Sequence, residues 1–249
     1  MAMNRATFAK QLEPGLNTLF GLEYKRYPEQ WKAIFEQNTS SKAFEEDVLQ
    51  EGFGEAPDKP EGEGVAYDTA SELWTARYNH LTTALAFSIT EEAEEDGLYG
   101  SIAKRYVKAL ARSMVHSKEI TGANVLNNGF DSSYTGGDGV ELFSTSHPST
   151  SGNQSNTLAT AADLNETSIE QMLINISDMD DDRGIPIAAT GQKLCVPTSL
   201  AFVAERLTKS QLRVDTANND VMALQSGGFL PGGYSVMQRL TDTDAWFIP

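Results

Sequence analysis

Leu98, Ile102, Tyr106, Leu110 and Met114 recur every fourth residue, and Val107 thickens the stripe they draw. That spacing predicts an amphipathic helix of about 20 residues and about 30 Å, from Gly97 to Lys118. Acids lead into it and Lys104, Arg105 and Lys108 follow within it, an order that suits the helix dipole. Its apolar stripe has to be covered by other elements, so the rest of the chain must arrange itself around it. His116, near the end, reads as a solvated or dipole-paired residue.

Ahead of this helix the pattern changes twice. The first stretch is helical but interrupted at Pro14-Gly15. Pro28 then opens a new turn at "PEQWKAIFEQ", where Trp31, Ile34 and Phe35 share one face at helical spacing. Two readings are open here, an arm lying on a neighbouring subunit or a helical hairpin within one subunit. Residues 52–68, "GFGEAPDKPEGEGVAYD", hold four glycines, two prolines and five acids, a composition that excludes a core element. "LWTARYNHLTTALAFSIT" follows, rich in aromatic and Thr residues and roughly alternating, and reads as an extended strand. The pair predicts a long two-stranded excursion with a polar tip.

After the long helix, "VELFS" suggests a short strand. "LNETSIEQMLINISDM" is an amphipathic helix capped by Asn165 or Thr167, with Thr167 and Glu170 fitting a capping box. "DMDDDRGIPI" ends it. "KLCVP" has the composition of a buried strand, "TSLAFVAERLTKS" that of a helix capped by Thr198 or Ser199, and "YSVMQRL" and "AWFIP" close the chain as strands. Helices, a long hairpin, a long helix and then mixed elements make an α+β protein without a regular βαβ repeat.

The chain has 249 residues, 40% of them hydrophobic, and a net charge of −16. The apolar runs are too short to span a membrane, no signal-peptide block is present, and one cysteine, Cys195, rules out an internal disulfide, which fits a reducing cytoplasm. So acidic a chain should hold a phosphate backbone only weakly. His80, His116 and His147 are widely separated and lack metal-ligand spacing, so a site of His147 with Asp131 and Asp138 is not expected. A nucleophile elbow, a phosphate-binding loop and a dinucleotide fingerprint are absent, and the acid run "DMDDDRG" lacks the calcium-loop pattern. Cys195 sits in an apolar strand as a packing residue. The sequence predicts no catalytic residue, no cofactor and no metal.

The segments "GFGEAPDKPEGEG", "ARYNHLTTALAFSITEE", "DGLYGSIAKRYVKALARSM", "NNGF" and "DGVELFSTSHP", followed by "LCVPTSLAFVAERLTKS", "TANND" and "LPGGYSVMQRLTDTDAWFI", come in an order that resembles the major capsid proteins of tailed phages. The resemblance implies the Hong Kong 97-type fold. It makes residues 1–45 an N-terminal arm, 46–92 the E-loop with its flanking strands, 93–162 a peripheral domain with the spine helix, 163–240 an axial domain and 241–249 a strand returning toward the peripheral domain. In that family the chain usually continues beyond the "WFI" strand. It implies a subunit that assembles with itself into pentamers and hexamers around a genome, in a virion built in the host cytoplasm, with portal, scaffold and decoration proteins as further partners, packaged DNA only weakly held and no membrane. Encapsulins share the fold, and an uncharacterised enzyme is the alternative of another class.

Under this resemblance the contacts between subunits fall on Trp31, Phe35, Lys59, Glu61, Glu63, Trp74, Arg77, Lys104 and Arg105. The tip acids Glu55, Asp58, Glu61, Glu63 and Asp68 repel one another, so the tip should be mobile until it meets the basic side of a neighbour's long helix. Some relatives crosslink an E-loop lysine to a neighbour. Lys59 is the lysine of this tip, and that chemistry is not carried over to it.

Overall fold

The computed structural model describes residues 6–88, 99–213 and 220–249. Leu98, the end of the expected strand at residues 89 and 90, and most of "TANND" lie outside the described residues. Two compact units form, the described parts of Met1–Lys32 with Leu81–Gly122, and of Ala33–His80 with Ala123–Pro249. Each is discontinuous in sequence, whereas the expected parts follow one another along the chain.

The first unit holds helix α1 (Ala6–Arg26) and most of helix α2 (Tyr99–Asn127). α1 runs unbroken through Pro14-Gly15, where the sequence predicts an interruption; a proline inside a helix forfeits one hydrogen bond without always ending it. Glu23 pairs with Lys108 at 3.1 Å and Glu29 with Lys118 at 3.6 Å, so this segment lies on the long helix of its own chain. α2 has 29 residues, nine more than the roughly 20 expected, and it continues to Asn127 instead of stopping near Lys118.

Its buried face is also displaced from the expected stripe. Ala103, Val107, Ala111 and Val115 are buried, and Glu119 and Ala123 extend the row. Ile102, Leu110 and Met114 are half-buried and Tyr106 is exposed. The buried row is rich in alanine, while the large side chains Ile102, Leu110 and Met114 sit at its flank. In place of a helix, "PEQWKAIFEQ" forms only a 3-10 turn, Gln30–Ala33. Trp31 and Ile34 then part: Trp31 is buried beneath Lys118, 4.3 Å from its ring centroid, and Ile34 joins a cluster in the second unit.

The second unit begins with a hairpin, β1 (Phe44–Gln50) antiparallel to β2 (Glu72–Asn79). β2 ends far short of the strand expected to reach Thr90, because its pairing with β1 stops at Phe44–Asn79 and one bond from the His80 amide to the Ala43 carbonyl, at 3.2 Å, follows it. Leu81–Ser88 follow as irregular chain in the first unit, where the Phe87 ring stands 5.8 Å from Tyr106. "VELFS" is likewise no strand; Thr135 and Glu141 make a single bridge.

Helix α3 (Glu166–Ser177) is capped by Asn165, with Ser168 completing the box in place of the expected Thr167 and Glu170. β3 (Leu194–Val196) leads through a 3-10 turn, Thr198–Leu200, into α4 (Ala201–Lys209), whose start has no side-chain cap, contrary to the expectation for Thr198 or Ser199. A short α5 (Ala223–Ser226) and β4 (Tyr234–Val236) follow. β4 lies parallel to β3, and Phe247 bridges Cys195 in antiparallel sense.

Alternation along β3 divides the core. Leu194 and Val196 enter a cluster with Ile169, Ala204 and Met222, and Cys195 enters another with Leu126, Met237 and Phe247. Asn127, at the end of α2, donates to the Arg239 carbonyl at 3.1 Å and accepts from the Thr241 amide at 3.0 Å, fixing the helix end to the C-terminal segment.

Candidate functional site

The β1–β2 hairpin combines a tip that touches little with a base held at several points. Directly opposed residues share a face of a hairpin. On one face Ala76 is buried and Trp74 lies over Gly137, where an added Cβ would stand 2.2 Å from the indole Cε3. Only glycine permits that approach. On the other face Arg77 pairs with Glu46 at 3.1 Å, its guanidinium 3.7 Å over the Phe44 ring.

At the neck, the Glu51 amide donates to the Ser71 carbonyl at 2.8 Å and the Ser71 hydroxyl donates to the Glu51 carboxylate at 2.5 Å. Arg183 enters between the two sides. Its Nη1 is 3.2 Å from Glu51 Oε1, and its Nη2 is 2.9 Å from both oxygens of Asp68. Asp68 also accepts from the Gly54 amide at 2.8 Å. The Gly54 amide first, and Arg183 next, hold the Asp68 carboxyl down at about 2. The Ser71 hydroxyl does the most to hold Glu51 below its ordinary value.

A turn delivers the guanidinium. Asp181 Oδ1 accepts from the amides of Arg183 and Ile185, each at 2.8 Å, and Gly184 takes a φ of +80° between them. The Asp181 carbonyl accepts from the Gln154 side chain at 3.1 Å, and Gln154 pairs through its backbone with His147. His147 Nδ1 is 2.7 Å from Asp138 Oδ2, next to Gly137. Contacts therefore run in a closed ring, from Trp74 on β2 through Gly137–Asp138, His147, Gln154 and Asp181 to Arg183 and back to the neck.

The tip beyond the neck is exposed throughout residues 55–70. A bond of 3.3 Å from the Glu63 amide to the Pro60 carbonyl closes its turn, with Gly62 at φ +89°. Lys59, Glu61 and Glu63 stand here. Asp68, expected among the mobile acids, is instead bound at the neck. Arg77, expected to face a neighbour, is engaged within its own hairpin. Trp31 and Trp74 pack inside their own chain, and Phe35 is half-buried. On α2, Lys104 and Arg105 are exposed and make no ion pair among the described residues, while Lys108 is taken by Glu23.

In "GGDGVELFSTSHP" the polar side chains Asp138 and His147 are bonded to each other. Burial raises the Asp138 carboxyl, but the hydrogen bonds from His147 and the Val140 amide outweigh it and leave its pKa lowered. Asp131 is occupied by the Ser133 amide at 2.8 Å. Among the described residues no three His, Cys, Asp or Glu side chains converge on a metal position. Cys195 is buried, and desolvation pushes its thiol up to about 11, so it is inert rather than nucleophilic. Sequence reasoning missed Glu51, Gly137 and Arg183. Arg183 carried one signal, as the single cation in the acid run "DMDDDRG".

A family model described as phage capsid protein matches residues 75–249. The chain belongs to the phage capsid protein family. The part of this capsid protein inside the match contains β2 from Thr75, α2, the Arg183 turn and the buried residues of both core clusters. No curated protein matches it. Among solved structures, a chain of the bacteriophage JBD30 capsid is similar at 14% identity and a TM-score of 0.59, over 80% of this chain and 86% of that one. A chain of the JBD30 procapsid is similar at 17% identity and a TM-score of 0.58, over 95% of this chain and 99% of that one. A third, from the JBD30 capsid decorated with minor capsid protein trimers, shares 14% identity with a TM-score of 0.56, over 86% of this chain and 95% of that one. The α+β capsid protein thus has the fold of phage shell subunits, the Hong Kong 97-like fold.

Proposed function

We propose that this capsid protein is the major head subunit of a tailed phage, that it assembles into pentamers and hexamers, and that the β1–β2 hairpin is the E-loop joining one subunit to the next. The observation that carries this reading is the hairpin itself, a two-stranded sheet with free edges and an exposed tip on a base locked by Arg183 and Trp74. A hairpin gains little stability alone, so a rigidly aimed one is built for a partner surface. Glu61 and Glu63 on the tip, beside Lys59, meet a neighbour's basic helix face at Lys104 and Arg105. Phe35 and Arg77 lie beside the contact, while Trp74 aims the hairpin and Trp31 braces the first unit.

In this reading residues 1–45 serve as the N-terminal arm, 46–92 as the E-loop, 93–162 as the peripheral domain and 163–240 as the axial domain, with residues 241–249 returning toward the peripheral domain. Assembly takes place in the host cytoplasm with portal and scaffold, and the subunit catalyses nothing. The similarity to a capsid carrying minor capsid protein trimers supports a decoration partner. With a net charge of −16, the packaged DNA is held no more tightly than nonspecifically, at about 10⁻⁴ M or weaker in physiological salt. Electron microscopy of the purified chain tests the reading. Closed shells or capsomers are expected. A stable monomer at all salt and protein concentrations overturns it.

A further inference from the structure

A groove of about 440 Å³ opens in the second unit, away from the hairpin. Its floor is aromatic. The Phe143 ring lies 5.0 Å from Phe130 and 5.1 Å from Phe247, centroid to centroid, and Phe130 is 62% exposed despite this stack. The Trp246 indole N–H donates to the Ala162 carbonyl at 3.0 Å, which fixes one wall. The rim carries Asp163, Asp242 and Asp244, and no Lys, Arg or His lines the groove. Asp242 lowers its own charge cost by bonding to Asp244, whose carboxyl is pushed up by that bond and by the charges of Asp242 and Asp163. Three carboxylates and an exposed aromatic ring thus share one groove with no cation among its lining residues.

We propose that this groove is a docking site for a short segment of a different protein that presents an aromatic or aliphatic side chain flanked by Lys or Arg. The apolar side chain covers Phe130 and the stack, and the cations meet the three rim carboxylates. Charge complementarity selects a cationic occupant, and a net charge of −16 makes a different protein its better source than a second copy of this chain. The site is independent of the hairpin and does not rest on its role.

The probe is the fluorescein-labelled peptide Lys-Phe-Lys-Leu-Lys, titrated onto the full chain by fluorescence anisotropy. Saturable binding of one peptide per chain is expected, and it should weaken about tenfold when Glu replaces every Lys or Gly replaces Phe and Leu. Phe130→Ser and the pair Asp242→Asn with Asp244→Asn should each weaken it by about tenfold or more, while Glu61→Lys with Glu63→Lys leaves it unchanged. Because Phe130 is exposed and the Asp→Asn pair keeps the side-chain shape, at least one variant remains folded, as circular dichroism will report. Absence of binding, equal binding of the acidic peptide, or binding untouched by both groove variants overturns the proposal. So does a groove that Phe130→Ser shows to be needed for contact between copies, since a second copy is then the occupant.

Discussion

One terminal nitrogen of Arg183 sits 2.9 Å from each carboxylate oxygen of Asp68, a residue 115 positions earlier in the chain. Replacing Arg183 by Met should leave the fold intact but release the neck. Limited proteolysis within residues 52–67 is expected to speed up several-fold, since local opening sets cleavage. The same contact has a pH signature. The folded Asp68 carboxyl is held below its ordinary 3.8, so its stabilising effect is present above that value and is lost as pH falls through 3.8 toward about 2. Proteolytic protection of the tip in the wild type should fall in that window, and Arg183→Met should shrink that transition without abolishing it, because the Gly54 and Thr69 amides still bind the Asp68 carboxylate.

Gly137→Ala should be costly for a steric reason. The new Cβ would fall 2.2 Å from one Trp74 ring atom and 2.5 Å from another, so the indole has to move. A loss of about 1–3 kcal/mol is expected from overpacking, together with a red shift of tryptophan fluorescence. Gly139→Ala is the comparison. Its site is sterically open but has a φ of +81°, so about 1–2 kcal/mol of backbone strain is expected without a change in emission.

His147 donates from Nδ1 to Asp138, and its Nε2 is buried without a hydrogen bond. Gln can keep the first bond, so His147→Gln should cost about 1 kcal/mol or less, whereas His147→Ala leaves Asp138 short of a donor and should cost about 1–3 kcal/mol. Urea denaturation at neutral pH separates the two. Shells should still form from the Gln variant. If the Gln variant proves as damaging as Ala, the imidazole has a role beyond its bond to Asp138.

Glu61→Lys with Glu63→Lys tests the tip. Both residues are exposed, so far-ultraviolet circular dichroism should not change. Shell assembly should be impaired, and more so at low salt, where repulsion from Lys104 and Arg105 of a neighbour is least screened. Normal shells at low salt would mean that the tip acids only face solvent.

Much of the fold is legible in the sequence where a pattern is long or local. α2 announces itself through its period, and "KLCVP" through its composition. Periodicity drawn through Ile102, Tyr106 and Met114 weighs side-chain size and misplaces the face of α2, whereas packing closes over Ala103, Val107 and Ala111. β2 is shorter than its composition suggests because Leu81–Ser88 has strand composition but no strand opposite it. Asn165 and Thr167 are both good caps, and only the start of α3 decides between them. The neck was invisible for another reason. Glu51, Asp68 and Arg183 lie in three separate segments, and nothing local to any of them indicates that a guanidinium will stand between the two acids.

That separation bears on how such an arm can change over time. Residues 44–79 are not a cassette that can be lifted onto another body. Transplanted alone, they would carry two carboxylates stripped of their guanidinium and an indole with no glycine to lie on. A lineage that exchanges its arm has to exchange the Arg183 turn and Gly137 with it, so arm and body are inherited as one piece.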